Sequence, residues 1–298
     1  MPSLKVGMCL ANSGMAAGKR AIDELASMSE KYEFNSVWTN DHLLVPKEYA
    51  ASYGRILESL ATLSYVAGRT ERILLGTSVL VLPMREVILL AKQSATLQIL
   101  SRGRLVLGLG AGWLGGEFEN VRLDFSQRGQ YYDEGLQLFR WFMKGNANFA
   151  GEFYTIRDGV FDPTPDKPIP LLIGGNSGQS IRRAAKLGDG WFPIAIPPSE
   201  LRAGRQKLSK LTSRRMEIAL RISVVFSERA RAMKPETATD SEGAINARLA
   251  GTREEILEQI RSYRKAGLDH LVCYFGDREA NILKVKARKF AKEIVPSL

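Results

Sequence analysis

The 298-residue sequence predicts a (β/α)8 barrel of the TIM-barrel type, enlarged by loop insertions and forming a single domain over residues 1–298. Three observations predict it. Short apolar runs alternate with amphipathic helical stretches as far as the C-terminus. Eight such pairs suit a barrel of roughly 250 residues better than an open doubly wound sheet. Several of the runs are leucine-rich or β-branched without period-two alternation, as in parallel strands covered on both faces.

Strands are expected at 4–10, 36–39, 73–79, 104–109, 170–174, 190–193, 218–226 and 270–275. The first lies close to the N-terminus, where no long apolar region or small-residue cleavage site marks a secretory signal; a cytoplasmic protein is expected. The second opens into Asn40-Asp41-His42, and the third is interrupted by the hydroxyls of Thr77 and Ser78. A helix over 87–100 stops at Ser101-Arg102-Gly103, where glycine supplies a left-handed terminator. The fourth strand runs into the glycine-rich stretch 108–116. The fifth ends at Gly174-Gly175-Asn176-Ser177-Gly178 before a helix over 179–186, and the sixth follows at once. Between the seventh and eighth, Thr252 and Glu255 form a capping box that starts a helix burying Ile256, Ile260 and Tyr263 and ending at Gly267. Two stretches break the alternation, 144–167 and 227–248, and are expected as insertions; the second is polar and a candidate for mobility without ligand.

Composition narrows the function classes. Runs without charge, such as 73–84, are too short for a membrane-spanning helix, which needs about 20 apolar residues. Two cysteines, Cys9 and Cys273, each within an apolar run, suit buried packing rather than a disulfide framework. Two histidines, His42 and His270, cannot assemble a zinc-type cluster, so no metal is expected. The net charge of +10 comes from 42 basic and 32 acidic residues. Lys284, Lys286, Arg288, Lys289 and Lys292 fall on a polar helix face, and no aromatic motif interleaves the basic residues, so solvation accounts for the charge better than nucleic-acid binding.

In such barrels chemistry belongs at the C-terminal ends of the strands. At the second exit, His42 beside Asp41 can bond a ligand, move a proton near neutral pH, or cap the following loop. At the third, Thr77 and Ser78 need partners, supplied by neighbouring backbone or by a planar polar ligand. The missing side chains of 108–116 let a flat ligand approach the backbone. Residues 110–115 fit a dinucleotide fingerprint literally, but the context is wrong, because no helix opens there and no acid-ended second strand follows. The fifth exit, with free amides between a strand end and a helix start, suits an anion such as a phosphate; Arg182 and Arg183, further along, are read as solvated.

Taken together, Ser36-Val37-Trp38-Thr39-Asn40-Asp41-His42-Leu43, Leu75-Gly76-Thr77-Ser78-Val79, residues 103–113, Ile173-Gly174-Gly175-Asn176-Ser177, Arg182-Arg183-Ala184-Ala185 and Gly188-Asp189-Gly190-Trp191-Phe192-Pro193 resemble the bacterial luciferase-like family of flavin- and deazaflavin-dependent oxidoreductases. The resemblance spans nearly the whole chain. It implies a homodimer that binds FMN or the 5-deazaflavin coenzyme F-420 non-covalently, and a non-proline cis peptide at Ser78-Val79 behind the cofactor ring. It further implies that His42 faces the reactive side of the ring while Asp41 fixes its loop. Thr77, Ser78 and Val79 would support the ring, Gly110 and Gly112 would let it approach, and Gly174, Gly175, Asn176 and Ser177 would hold its phosphate. Where deazaflavin-dependent sugar-phosphate dehydrogenases of the family carry an acidic glutamate after the glycine run, this chain has Trp113, and its nearest acid is Glu117. Where they carry polar and basic phosphate binders after the sixth strand, it has Pro193-Ile194-Ala195-Ile196-Pro197, which favours an apolar substrate over a sugar phosphate. Coenzyme F-420, with its anionic tail, is slightly preferred to FMN, which would support oxygen insertion instead. A catalytically silent flavin-binding relative is the reading from a different class.

Overall fold

The computed structural model describes residues 3–227, 238–239, 245–276 and 279–298. Eight parallel strands close into a barrel: β1 (Lys5–Cys9), β2 (Ser36–Thr39), β3 (Leu74–Val81), β4 (Leu105–Gly110), β5 (Leu171–Gly174), β6 (Gly190–Phe192), β7 (Glu217–Phe226) and β8 (His270–Tyr274). Each pairs with its successor, and β8 returns to β1 with Lys5 opposite His270. All eight expected strands form, the second as drawn and none with an end more than two residues from its expected place. The largest difference is at β3, which continues to Val81 because the ladder to β4 skips between Thr77 and Leu80 and then resumes. The peptide Ser78–Val79 inside this bulge is cis, as the resemblance implied.

Eight principal helices surround the barrel: α1 (Lys19–Lys31), α2 (Ser59–Ala67), α3 (Val87–Leu100), α4 (Arg128–Phe142), α5 (Gly178–Leu187), α6 (Pro198–Leu211), α7 (Arg253–Ala266) and α8 (Ala280–Glu293). The reasons are local. On α1, Ala21, Ile22, Leu25, Ala26 and Met28 fall on one buried face at helical spacing. Glu86 caps α3 by accepting from the amides of Ile88 and Leu89, and the turn after the helix is left-handed at both Arg102 and Gly103. The capping box of Thr252 and Glu255 starts α7, which buries Ile256, Ile260 and Tyr263 and ends at Gly267 with φ of 98°.

The insertion before β5 contains a two-stranded hairpin, Phe149–Ala150 with Thr155–Ile156. Most of the insertion after β7 lies outside the described residues. Its end, however, forms a strand the sequence did not announce: Arg248–Gly251 pairs with the outer half of β7, from Ser223 to Phe226, beyond the reach of β6. The segment is too short and too close to a polar stretch to carry a period of its own.

The barrel interior is packed rather than open, with Cys9, Trp38, Val106, Leu172, Phe192, Ala219 and Val272 filling it. Trp38 is its plug: a β-carbon at Gly76 would stand 2.2 Å from the indole, so β3 needs glycine there. Between barrel and helices lies the larger core, which includes Leu25, Leu63, Leu107, Phe139, Ile173 and Phe290. Both cysteines are buried and unbonded to each other. At the N-terminal ends of the strands, Ser36, His270, Glu217 and Lys5 form a chain of hydrogen bonds, with Ser36 Oγ 2.7 Å from His270 Nε2 and Glu217 Oε1 3.0 Å from His270 Nδ1. The order of partners matches a hydrolytic triad, but Ser36 also accepts from the Trp38 indole and is wholly buried. This is a stabilising network on the face away from the barrel mouth.

Candidate active site

A cavity of about 700 Å³ opens at the C-terminal mouth of the barrel. Its walls come from the exits of β2 to β8, the short helices that follow β2 and β4, and the start of α5.

At the β2 exit the backbone is fixed first. Asn12 donates to Asn40 O and Leu57 O and accepts from the Asn40 amide, which leaves Asp41 and His42 in a defined orientation. Asp41 is buried and bidentate with Arg85, at 2.6 and 2.7 Å, and accepts from the Val81 amide at 2.9 Å. Burial pushes its carboxyl up, opposed by the Arg85 guanidinium. Asp41 thus touches the cavity but spends its oxygens on joining the β2 exit to the β3 exit. His42 Nδ1 lies 2.7 Å from Glu117 Oε2, and the other oxygen of Glu117 accepts from the Leu43 amide. Glu117 is buried in the short helix Gly115–Asn120, so the acid that looked displaced along the sequence is brought to the histidine by one helical turn. With Nδ1 occupied, Nε2 is the nitrogen left for the cavity. Tyr53 packs on the imidazole at 4.5 Å between centroids, and Trp113, half exposed, stands edge-on to both rings.

The β3 bulge carries Ser78 and Val79 into the cavity wall. Thr77 does not join them: its hydroxyl donates to Gly108 O at 2.7 Å and its side chain is fully buried behind the wall. Gly110 and Gly174 also differ from expectation in what they accommodate. A β-carbon at either would stand 2.7–2.8 Å from a methyl of Val79, so these glycines first make room for the bulge, and through it shape a flat platform. Gly112 has φ of 81° and lines the same wall.

At the β5 exit, Gly175, Ser177, Gln179 and Ser180 line the cavity. Ser177 caps α5 by accepting from the Ser180 amide, and Ser180 donates to the carbonyls of Gly175 and Ser177. That leaves the amides of Gly178 and Gln179, at the start of the ten-residue helix, without an acceptor inside the helix, the chemistry that suits an anion. The Asn176 side chain does not line the cavity and bonds with both ends of its amide to the backbone of Ile194. Arg183 corrects the reading of a solvated side chain: it lines the cavity, paired with Asp133 at 2.6 Å. Arg128 lines it too, bonded to Gly112 O and Phe125 O.

The far wall consists of Phe192, Pro193, Ile194, Arg221 and Tyr274 from β6 to β8. Sequence reasoning missed Arg221, Arg128 and Tyr53. Arg221 had a signal, since it is a cation in an apolar strand and shares the inward phase of Ala219. Arg128 and Tyr53 had none, because both lie in stretches that folding alone carries to the mouth.

Of the expected residues, then, the structure gathers Asp41, His42, Ser78, Val79, Gly110, Gly112, Gly174, Gly175 and Ser177 around one cavity and leaves Thr77, buried, and Asn176, exposed, out of its lining. Among the described residues no cluster of His, Cys, Asp and Glu could hold a metal ion, and no helix is long and apolar enough to cross a membrane.

A parallel barrel that gathers a histidine–carboxylate pair, a bulged strand and the start of a helix around one cavity at its C-terminal mouth is a barrel of the ligand-binding kind. A family model described as luciferase-like monooxygenase matches residues 5–238, and the chain belongs to that family. An uncharacterised protein of Mycobacterium tuberculosis is 31% identical over 59% of this chain and 66% of its own length, so the match spans just under two thirds of that relative. An F420-dependent glucose-6-phosphate dehydrogenase of Amycolatopsis mediterranei is 27% identical over 94% of this chain and 95% of its own. Among solved structures, an F420-dependent secondary alcohol dehydrogenase in complex with an F420–acetone adduct superposes with a TM-score of 0.80 over 99% of each chain at 19% identity. The monooxygenase RslO1 from Streptomyces bottropensis gives 0.80 at 20% identity over the same share of each chain. At these identities the two structures show the shared fold.

Proposed function

We propose that this protein is an oxidoreductase that binds coenzyme F-420 at the barrel mouth and exchanges a hydride between it and a small, rather apolar organic substrate. The observation that carries the reading is the arrangement of one cavity between a flat platform, the bulge with Val79 seated on Gly110 and Gly174, and a proton-handling pair, His42 with Glu117. The residues present fit the cofactor. The platform would take the tricyclic ring, and the amides of Gly178 and Gln179 at the start of α5 with Ser177 would take the phosphate, with Arg183 and Arg128 beside them. The names of the relatives supply the preference for the deazaflavin over FMN. When bound, the group supplies a ring carbon that gives or takes a hydride.

The chain's own contribution is orientation and proton handling. Asp41 and Arg85 lock the β2 and β3 exits to each other, so the platform and His42 keep their separation. Glu117 fixes the imidazole through Nδ1, and His42 gives or takes a proton at Nε2 on the open side of the site. Phe192, Ile194 and Tyr53 keep water from that side and favour an apolar substrate body. The proposal includes a cytoplasmic homodimer, for which Ile88, Leu89, Ile99 and Leu100 on α3 offer exposed apolar surface.

Reconstitution tests the reading. Titrated separately with F-420 and FMN, the protein is expected to bind the deazaflavin selectively, seen as a change in its fluorescence, and the bound cofactor should be reducible by an organic donor. Selective FMN binding, with oxygen consumption, would transfer the site to monooxygenase chemistry. Binding without reduction by any donor would make the chain a silent relative.

A further inference from the structure

Charge accounting around the cavity leaves two cations without an ion pair among the described residues: Arg128, whose guanidinium is bonded to the carbonyls of Gly112 and Phe125, and Arg221. Asp41 is matched by Arg85 and Arg183 by Asp133, while Glu117 is hydrogen-bonded to His42 and to the Leu43 amide. The Arg221 Nε is buried without a hydrogen-bond partner among the described residues. A buried donor left unsatisfied destabilises the site, a cost that a bound acceptor would remove.

Its place shows what that acceptor would be part of. Arg221 is on β7, which stands opposite β3 in the ring of eight strands, so it faces the platform across the cavity. The phosphate seat is on β5 and α5, away from it. Its guanidinium lies 4.9 Å from the Tyr274 ring centroid, and Phe192 and Ile194 complete an apolar surround. The same charge pulls on the Cys9 thiol, which burial pushes up, so no thiolate neutralises it.

We propose that Arg221 anchors a carboxylate on the substrate, so that the compound turned over is an apolar molecule carrying one negative charge. A single guanidinium balances a monoanion and presents its fork of N–H groups to two oxygens, whereas a phosphate dianion would keep one charge unmatched in an apolar wall. The inference rests on the proposed function only in assigning this wall to the substrate.

The probes are benzoate and its neutral isostere benzamide, titrated calorimetrically into the protein with and without F-420. The loaded protein is expected to bind benzoate at least about tenfold more tightly than benzamide, the worth of one charge-assisted hydrogen bond. Arg221→Gln should abolish that preference and leave F-420 affinity unchanged, while Arg221→Lys should retain part of it. Equal affinity of the wild-type protein for the two probes would overturn the proposal without any variant, so a misfolded Arg221→Gln would not shelter it. Loss of F-420 affinity in Arg221→Gln, with the benzoate preference intact, would overturn it too by giving the residue to the cofactor. Failure of F-420 to bind at all would sink the functional reading alone: a benzoate preference in the cofactor-free protein that vanishes in Arg221→Gln would still support the anchor.

Discussion

His42 was visible in the sequence as a histidine at a strand exit, yet its partner was not. Glu117 is 75 residues away, and only the short helix after β4 brings its carboxylate within 2.7 Å of Nδ1. If His42 moves the proton, His42→Ala should lower turnover by roughly a hundredfold or more while F-420 affinity, measured by fluorescence titration, is unchanged. Glu117→Gln should lower turnover through the same imidazole. The double variant should then be no slower than His42→Ala alone, because two residues acting as one unit are not additive. Additive losses would show that Glu117 has a task of its own.

The β3 bulge and the glycines beneath it act together. Thr77 and Ser78 were legible as an interruption of an apolar strand, but Gly110 read as open space for a ring and Gly174 as a phosphate holder, whereas the fold sets the Val79 methyls against both. Gly110→Ala, whose new β-carbon would meet Val79 at 2.7 Å, should cost about 1–3 kcal/mol in denaturant unfolding and weaken cofactor binding with it. A helix far from the mouth should behave differently. Thr252→Ala removes one half of the α7 capping box and should cost about 1 kcal/mol while leaving cofactor affinity as it was. Capping and periodicity are local properties, which is why α7 could be drawn from sequence to its last residue, whereas the strand Arg248–Gly251 exists only because β7 outruns β6 and offers an unpaired edge.

Across the whole barrel, the two faces divide stability from function. Burial tends to raise the Glu217 carboxyl, but His270 and Lys5 outweigh it and hold it at about 2, while burial keeps His270 below its ordinary range despite the pull of Glu217. Both shifts have the same sign for acid. The unfolded chain protonates its histidine first, so stability begins to fall as pH drops below 6.5; the Glu217 contribution is full above 4.5 and is lost between 4.5 and about 2. Unfolding midpoints followed from neutral pH downward should show this decline, and Glu217→Gln should flatten its lower part, by an amount of order 2 kcal/mol. A decline as steep in the variant would place the acid-sensitive groups elsewhere.

The chain's local chemistry was enough to set the barrel and the four strand exits where ligands could gather, because alternation of apolar runs, helix caps and glycine placement act over neighbouring residues. Which groups would meet across the mouth was settled by closure of the ring. Closure brought Glu117 to His42, turned Thr77 and Asn176 to the backbone, and left the Arg221 Nε buried without a hydrogen-bond partner among the described residues. Such pairings depend on distances between residues far apart in the chain, which no local pattern encodes.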